Sequence, residues 1–140
     1  MNSLLIRRLS ENATIPLRST EGSAGLNVFA SENIIIKPYF QEIVNTDFAI
    51  KCPTGTYARL TDRSSMVLKK IRIHGGVIDS DYTGPIRVVA HNYGDVDYEI
   101  IKGDRICQMV ITPVSFPVIT EVGKLPATER GSNGFGSTGI

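Results

Sequence analysis

Apolar and β-branched residues in this chain come in short runs, each cut off by Gly, Pro, Asn or Asp, and almost nowhere at the three-to-four residue spacing of an amphipathic helix. That periodicity dictates strands throughout. The runs predict strands at 4–7, 34–36, 41–50, 56–60, 71–73, 76–78, 86–92, 98–101, 105–112 and 116–122. So many short strands in 140 residues imply a single all-β sandwich or barrel. The one helical stretch is 64–70, about two turns by its spacing. Ser64 is expected to cap it, and Met66, Val67 and Leu68 to face inward.

Composition narrows the function classes. A hydrophobic share of 41% against 21% charged residues argues against a disordered chain. No apolar run approaches the roughly 20 residues that cross a bilayer, and the first ten residues are too short and too charged for a secretory signal. A cytosolic or nuclear location is expected, with no membrane partner. The net charge of +1 gives no basic field for a nucleic-acid backbone, so no nucleic-acid partner is expected. Cys52 and Cys107 stand far apart, and His74 and His91 are the only histidines, so neither a zinc site nor a disulfide framework is expected. Cys107, inside the apolar run 106–111, reads as a buried thiol.

After Leu125 the hydrophobic pattern stops. The segment 130–140 holds four glycines and three Ser or Thr residues around one Arg and one Phe. It cannot bury enough apolar surface to offset its ordering entropy, and a mobile arm is expected. The chain accordingly divides into a β domain at 1–126 and an arm at 127–140. A lone Arg and a lone Phe among small hydroxyl residues nevertheless suggest chemistry rather than simple fraying.

Three internal segments, with the arm as a fourth, carry the ingredients of a triphosphate site. Arg63-Ser64-Ser65 opens the short helix, where free amides, hydroxyls and a guanidinium fork suit phosphate. Residues 75–84 read as a hairpin with a carboxylate-rich tip closed by Gly84. Within it Asp79 follows an apolar strand end, a position from which it could orient and deprotonate water, while Asp81 lies nearer the tip. Gly103-Asp104-Arg105 feeds a strand in which Gln108 is a polar residue that must find partners.

Read in order, these segments resemble the five motifs of the trimeric dUTP pyrophosphatase (dUTPase) family. The motifs are Ala24-Gly25-Leu26-Asn27-Val28; Gly55-Thr56-Tyr57-Ala58-Arg59 with Asp62-Arg63-Ser64-Ser65; Gly76-Val77-Ile78-Asp79-Ser80-Asp81-Tyr82-Thr83-Gly84; Gly103-Asp104-Arg105-Ile106 with Gln108; and residues 130–138. The resemblance implies a jelly-roll-like β-sandwich with one short helix, assembled as a homotrimer with sites between subunits. It implies hydrolysis of dUTP to dUMP and pyrophosphate, which limits uracil incorporation into DNA and supplies dUMP for dTMP synthesis. Asp79 would activate the attacking water. Gly76, Val77 and Ile78 would hold uracil through their backbone, Tyr82 would pack on the deoxyribose, and Arg63, Ser64, Ser65 and Gln108 would contact the phosphates. The arm would close over a neighbouring site, with Phe135 on the base and Arg130, Gly136, Ser137 and Thr138 toward the phosphates. Mg²⁺ would bind through the phosphates and water, with no direct protein ligand.

Some positions depart from the family's usual residues. Asn27 stands for Asp, which removes a negative charge. Asp62 stands for the Pro before Arg63, which is expected to set a carboxylate against the phosphates. Ala58 and Ser65 stand for Gly, Thr83 for Arg, and Asn133 for a Gly of the arm. These departures leave open a catalytically weakened binding or regulatory protein of the same fold. dCTP deaminases share the fold and often an Arg-Ser-Ser segment, but the turn Ile78-Asp79-Ser80-Asp81-Tyr82 looks like the pyrophosphatase form.

Overall fold

A computed structural model describes residues 2–137 and Gly139. Ten strands and one short helix follow in the order β1 (Leu5–Arg8), β2 (Leu26–Phe29), β3 (Ile34–Ile36), β4 (Gln41–Lys51), β5 (Thr56–Thr61), α1 (Ser64–Leu68), β6 (Ile71–His74), β7 (Val77–Ile78), β8 (Pro85–Asn92), β9 (Tyr98–Ile100) and β10 (Arg105–Pro113). They form two four-stranded antiparallel sheets, β1-β4-β8-β6 and β2-β10-β5-β7, and a two-stranded ladder β3-β9. This is a β-sandwich of jelly-roll type, with no helix among the described residues long and apolar enough to cross a membrane.

Strand alternation builds the core. On β8, Ile86, Val88, Ala90 and Asn92 point inward while Pro85 and Arg87 are exposed. From β4 come Val44, Thr46 and Phe48, and from β10 Ile106, Cys107 and Met109, so the two inner faces interdigitate over an apolar cluster. Its buried polar groups are satisfied. The Thr46 hydroxyl donates to the Ile86 carbonyl at 2.5 Å, and Asn92 Nδ2 donates to the carbonyls of Ile36 and Val96 at 2.9 and 2.8 Å. Burial pushes the Cys107 thiol far above its usual range, as expected of a buried sulfhydryl.

The structure departs from the sequence expectations in four places. β2 lies where no strand was expected, because Leu26, Asn27, Val28 and Phe29 are all buried and show no alternation. Residues 116–122 form no strand; Phe116, Val118 and Ile119 are exposed, and no ladder among the described residues accepts them. The helix is only five residues long, so Met66 alone is buried while Val67 and Leu68 face solvent. Its N-cap is Arg63 in extended conformation, with no side-chain cap from Ser64.

The fourth departure concerns residues 75–84, which are not a simple hairpin. β7 pairs with β5 in one sheet, whereas β6 and β8 pair with each other in the other sheet. The chain steps across the sandwich and back. Gly75 and Gly76 make the outward step at φ of 64° and 93°, conformations that a Cβ disfavours. Gly76 also lies against the backbone of Leu60, whose N–H donates to the Gly76 carbonyl at 2.7 Å, and a Cβ there would strike the Leu60 carbonyl oxygen. Gly76→Ala should therefore lower stability by about 2–4 kcal/mol in urea unfolding, from combined strain and overpacking. Gly22→Ala, with open space around it, should stay within about 0.5 kcal/mol of wild type.

Candidate active site

The step across the sandwich positions the acidic turn. β7 is the outer strand of its sheet, so the backbone groups on its free side have no ladder partner and remain available to a ligand's hydrogen-bonding edge. Beyond Ile78 the chain turns back, closed by Tyr82 N–H donating to the Asp79 carbonyl at 3.0 Å. Lys51 on β4 steadies the turn, its Nζ donating to the Ser80 carbonyl at 3.1 Å. The Tyr82 hydroxyl donates to the Pro85 carbonyl at 2.8 Å, folding the ring over Gly84, where a Cβ would come within 2.6 Å of that hydroxyl. Gly84 thus leaves room for the aromatic ring rather than supplying an unusual backbone angle.

Asp79 is exposed and lines two cavities at once. One, of ≈ 200 Å³, is bounded by Val77, Ile78, Tyr82, Pro85 and Arg87. The other, of ≈ 780 Å³, includes Lys51, Cys52, Tyr57, Asp81 and Phe116. A carboxylate on the rim of a ligand-sized cleft, on a turn fastened by backbone bonds, is well placed to hold and deprotonate a water. Burial raises the Cys52 thiol above its usual range, and the nearby Lys51 ammonium only partly opposes this.

The phosphate-type residues gather elsewhere. Arg63 and Ser65 line a polar cavity of ≈ 340 Å³ with Lys69 and Arg105, and Arg63 Nη1 donates to the Arg105 carbonyl at 3.1 Å. Ser64 and Ser65, in the first turn of α1, are exposed, and their amides have no intrahelical acceptor. Gln108 on β10 sits between Asn27 of β2 and Thr61 of β5, half-buried. Its Nε2 donates to the Asp62 carbonyl at 2.8 Å, and its side chain lies over Gly25, where a Cβ would collide with Oε1. The polar residue in the apolar run has found its partner, and Gly25 makes the room.

Asp62 is turned away from where a phosphate-facing carboxylate is expected. Its carboxylate does not face the phosphate-type residues: Oδ2 accepts from Arg72 Nε at 2.7 Å and Oδ1 from the Ile73 N–H at 2.7 Å. Asn27 is buried, with Nδ2 donating to Ser19 Oγ at 2.8 Å, and lines none of these cavities.

Among the described residues, no hydrogen bond joins the arm to either cluster. Arg130 Nε donates to the Asn133 carbonyl at 2.7 Å, Ser137 N–H donates to the Gly134 carbonyl at 3.0 Å, and Phe135 is fully exposed at a positive φ of 51°. Gly136 is exposed as well, and Thr138 lies outside the described residues. Within one chain, then, Asp79 and Tyr82 share a cavity with Val77 and Ile78, which follow Gly76, whereas Arg63 and Ser65 line another, with Ser64 exposed between them in sequence and Gln108 bonded to the Asp62 carbonyl. Lys51, Arg72 and Arg87 escaped sequence reading, because sheet register rather than local pattern brings them in.

Three comparisons bear on this arrangement. The dUTPase family profile matches residues 11–139. The chain is 44% identical over 139 residues to a probable deoxyuridine 5'-triphosphate nucleotidohydrolase of Schizosaccharomyces pombe, covering 99% of each. It is 45% identical to the deoxyuridine 5'-triphosphate nucleotidohydrolase of Mus musculus, covering 98% of this chain and 85% of that one. Among solved structures, it resembles a Staphylococcus bacteriophage 80alpha dUTPase with dUpNHpp at a TM-score of 0.95 and 30% identity, over 100% of both chains. It also resembles a dUTPase from phage phi11 of S. aureus in which a structural Mg(II) ion is coordinated, at a TM-score of 0.84 and 28% identity, over 90% of this chain and 100% of that one.

The Gly84 packing yields a test. In Gly84→Ala the mobile end of Tyr82 yields, so the stability loss should stay near 1 kcal/mol, about one hydrogen bond. The Tyr82 ring resonances should shift strongly in NMR spectra while those of the core methyls do not.

Proposed function

The chain belongs to the dUTPase family, and on that premise we propose that it hydrolyses dUTP to dUMP and pyrophosphate at a site centred on Asp79. The observation that carries the reading is the Asp79 carboxylate at the junction of two cavities, beside Tyr82 and the unpaired edge of β7. Uracil would present its donors and acceptors to the free backbone groups of Gly76, Val77 and Ile78, an edge that does not suit the amino group of cytosine, while close approach of the backbone would leave no room for the C5 methyl of thymine. Tyr82, held down by its bond to the Pro85 carbonyl, would pack on the deoxyribose and crowd out a 2′-hydroxyl.

Asp79 would take a proton from a water molecule whose oxygen attacks the α-phosphorus. A new P–O bond forms, the bond from the α-phosphorus to the bridging oxygen breaks, and pyrophosphate leaves. Arg63, Ser64, Ser65 and Gln108 would bind the phosphates from a neighbouring copy, since in one chain the cavity that Arg63 and Ser65 line is distinct from those that Asp79 lines. Arg130, Phe135, Gly136, Ser137 and Thr138 would close over the nucleotide from the arm. Assembly as a homotrimer would offer cover to Phe116, Val118, Ile119 and Leu125, which are exposed at 74%, 91%, 96% and 77% among the described residues.

Among the described residues, no three His, Cys, Asp or Glu side chains converge as a metal cage, and the carboxylates of Asp79 and Asp81 are hard oxygen donors suited to Mg²⁺ through water. When bound on the triphosphate, Mg²⁺ supplies neutralisation of its charge and of the departing pyrophosphate. The activity would limit uracil in DNA and supply dUMP for dTMP, in the cytosol or a nucleus. The alternative, a weakened binding protein, loses one of its supports because the Asp62 charge is already paired.

Pyrophosphate release with Mg²⁺ should be strongly selective for dUTP over dCTP, dTTP and UTP; equal turnover of these nucleotides would remove the edge-recognition reading. Asp79→Asn should lower kcat by about 10²–10⁴-fold, the usual contribution of a general base, while dUpNHpp still binds. Removal of residues 130–140 should cost about 10²-fold in kcat/KM with the sedimentation of a trimer unchanged, as for loss of a closing element.

A further inference from the structure

Asp62 immediately precedes Arg63, yet its carboxylate is withdrawn from the phosphate-binding turn. Three contacts fix this residue. Arg72 Nε and the Ile73 N–H each donate to the carboxylate at 2.7 Å, and Gln108 Nε2 donates to the carbonyl at 2.8 Å. The Asp62 side chain is 20% exposed and that of Arg72 53%, so the pair lies at the surface with its carboxylate partly shielded, and the Ile73 N–H adds a second charge-assisted bond. The contacts join the end of β5 to β6 in the opposite sheet and to β10, and hold in place the strand end from which Arg63, Ser64 and Ser65 follow.

We propose that Arg72 is a positioning residue that masks the Asp62 carboxylate, keeping it from competing with the substrate's phosphates for Arg63 and from repelling them. The proposal rests on the dUTPase reading above for its substrate. Its physical content is narrower: an unmasked anion beside Arg63 harms triphosphate binding, and deleting that anion repairs the harm. A merely structural role for Arg72 gives no such repair, because Asp62→Asn would then add a second defect.

The test compares the full-length wild type with Arg72→Met, Asp62→Asn and the double variant, measuring dUTP turnover, dUMP inhibition, and binding of inorganic tripolyphosphate by calorimetry. Arg72→Met should raise KM for dUTP and weaken tripolyphosphate binding by about tenfold, with kcat within about threefold and dUMP inhibition unchanged. Asp62→Asn keeps an oxygen for the Ile73 N–H and should stay within about threefold of wild type. The double variant should regain most of what Arg72→Met loses. A KM in Arg72→Met within about twofold of wild type overturns the proposal, as does a double variant no better than Arg72→Met, or an equal loss of dUMP affinity. Failure of the wild type to turn over dUTP would sink the functional reading instead, and the tripolyphosphate series would still decide the role of Arg72.

Discussion

The site depends on a single crossing of the chain from one sheet to the other. β6 ends at His74 in the first sheet and β7 begins at Val77 in the second, with two positive-φ glycines between them. The crossing is pinned by the Leu60 N–H donating to the Gly76 carbonyl, and the pairing Ala58↔Ile78 and Arg59↔Val77 then sets the register of β7. That register delivers Asp79 to the rim of its cavities. The return into β8 brings the chain back to the middle of the first sheet, where Ile86, Val88 and Ala90 anchor it in the core. The flexible-looking acidic turn is therefore suspended between two rigid sheets rather than projecting from one.

Much of this was legible in the sequence, and the misses have physical causes. β8 was readable because one face is buried and one is not, which leaves a period of two in the residues. β2 was not, because all four of its side chains are buried and the period vanishes. Residues 116–122 carry a strand's composition without a strand's partner, and propensity cannot report whether a ladder exists to receive a segment. The glycine pair at 75 and 76 was read as part of a hairpin, yet the same conformational freedom serves to change sheets.

For the candidate site, residue type and order single out Asp79, Tyr82, Arg63 and Gln108. They do not single out Lys51 and Arg72. Lys51 acts on a carbonyl 29 residues away and Arg72 on a carboxylate 10 residues away, both through strand packing. The same packing reverses the meaning of Asp62. By composition it is an anion misplaced beside an Arg suited to phosphate, but its three contacts make it a tie between the sheets. Asn27 likewise removes a charge from a buried strand position, not from the wall of a cavity.

The separation of the Asp79 cavity from the Arg63 cavity has a genetic consequence. If each site is completed by neighbouring copies, an allele damaged at Asp79 and another damaged in the arm need not fail together. In mixed assemblies some sites draw the intact turn from one parent and the intact arm from the other, so two inactive alleles complement within a cell. A single defective allele, conversely, poisons sites to which it contributes only a part, and behaves as dominant in proportion to its share of the subunits.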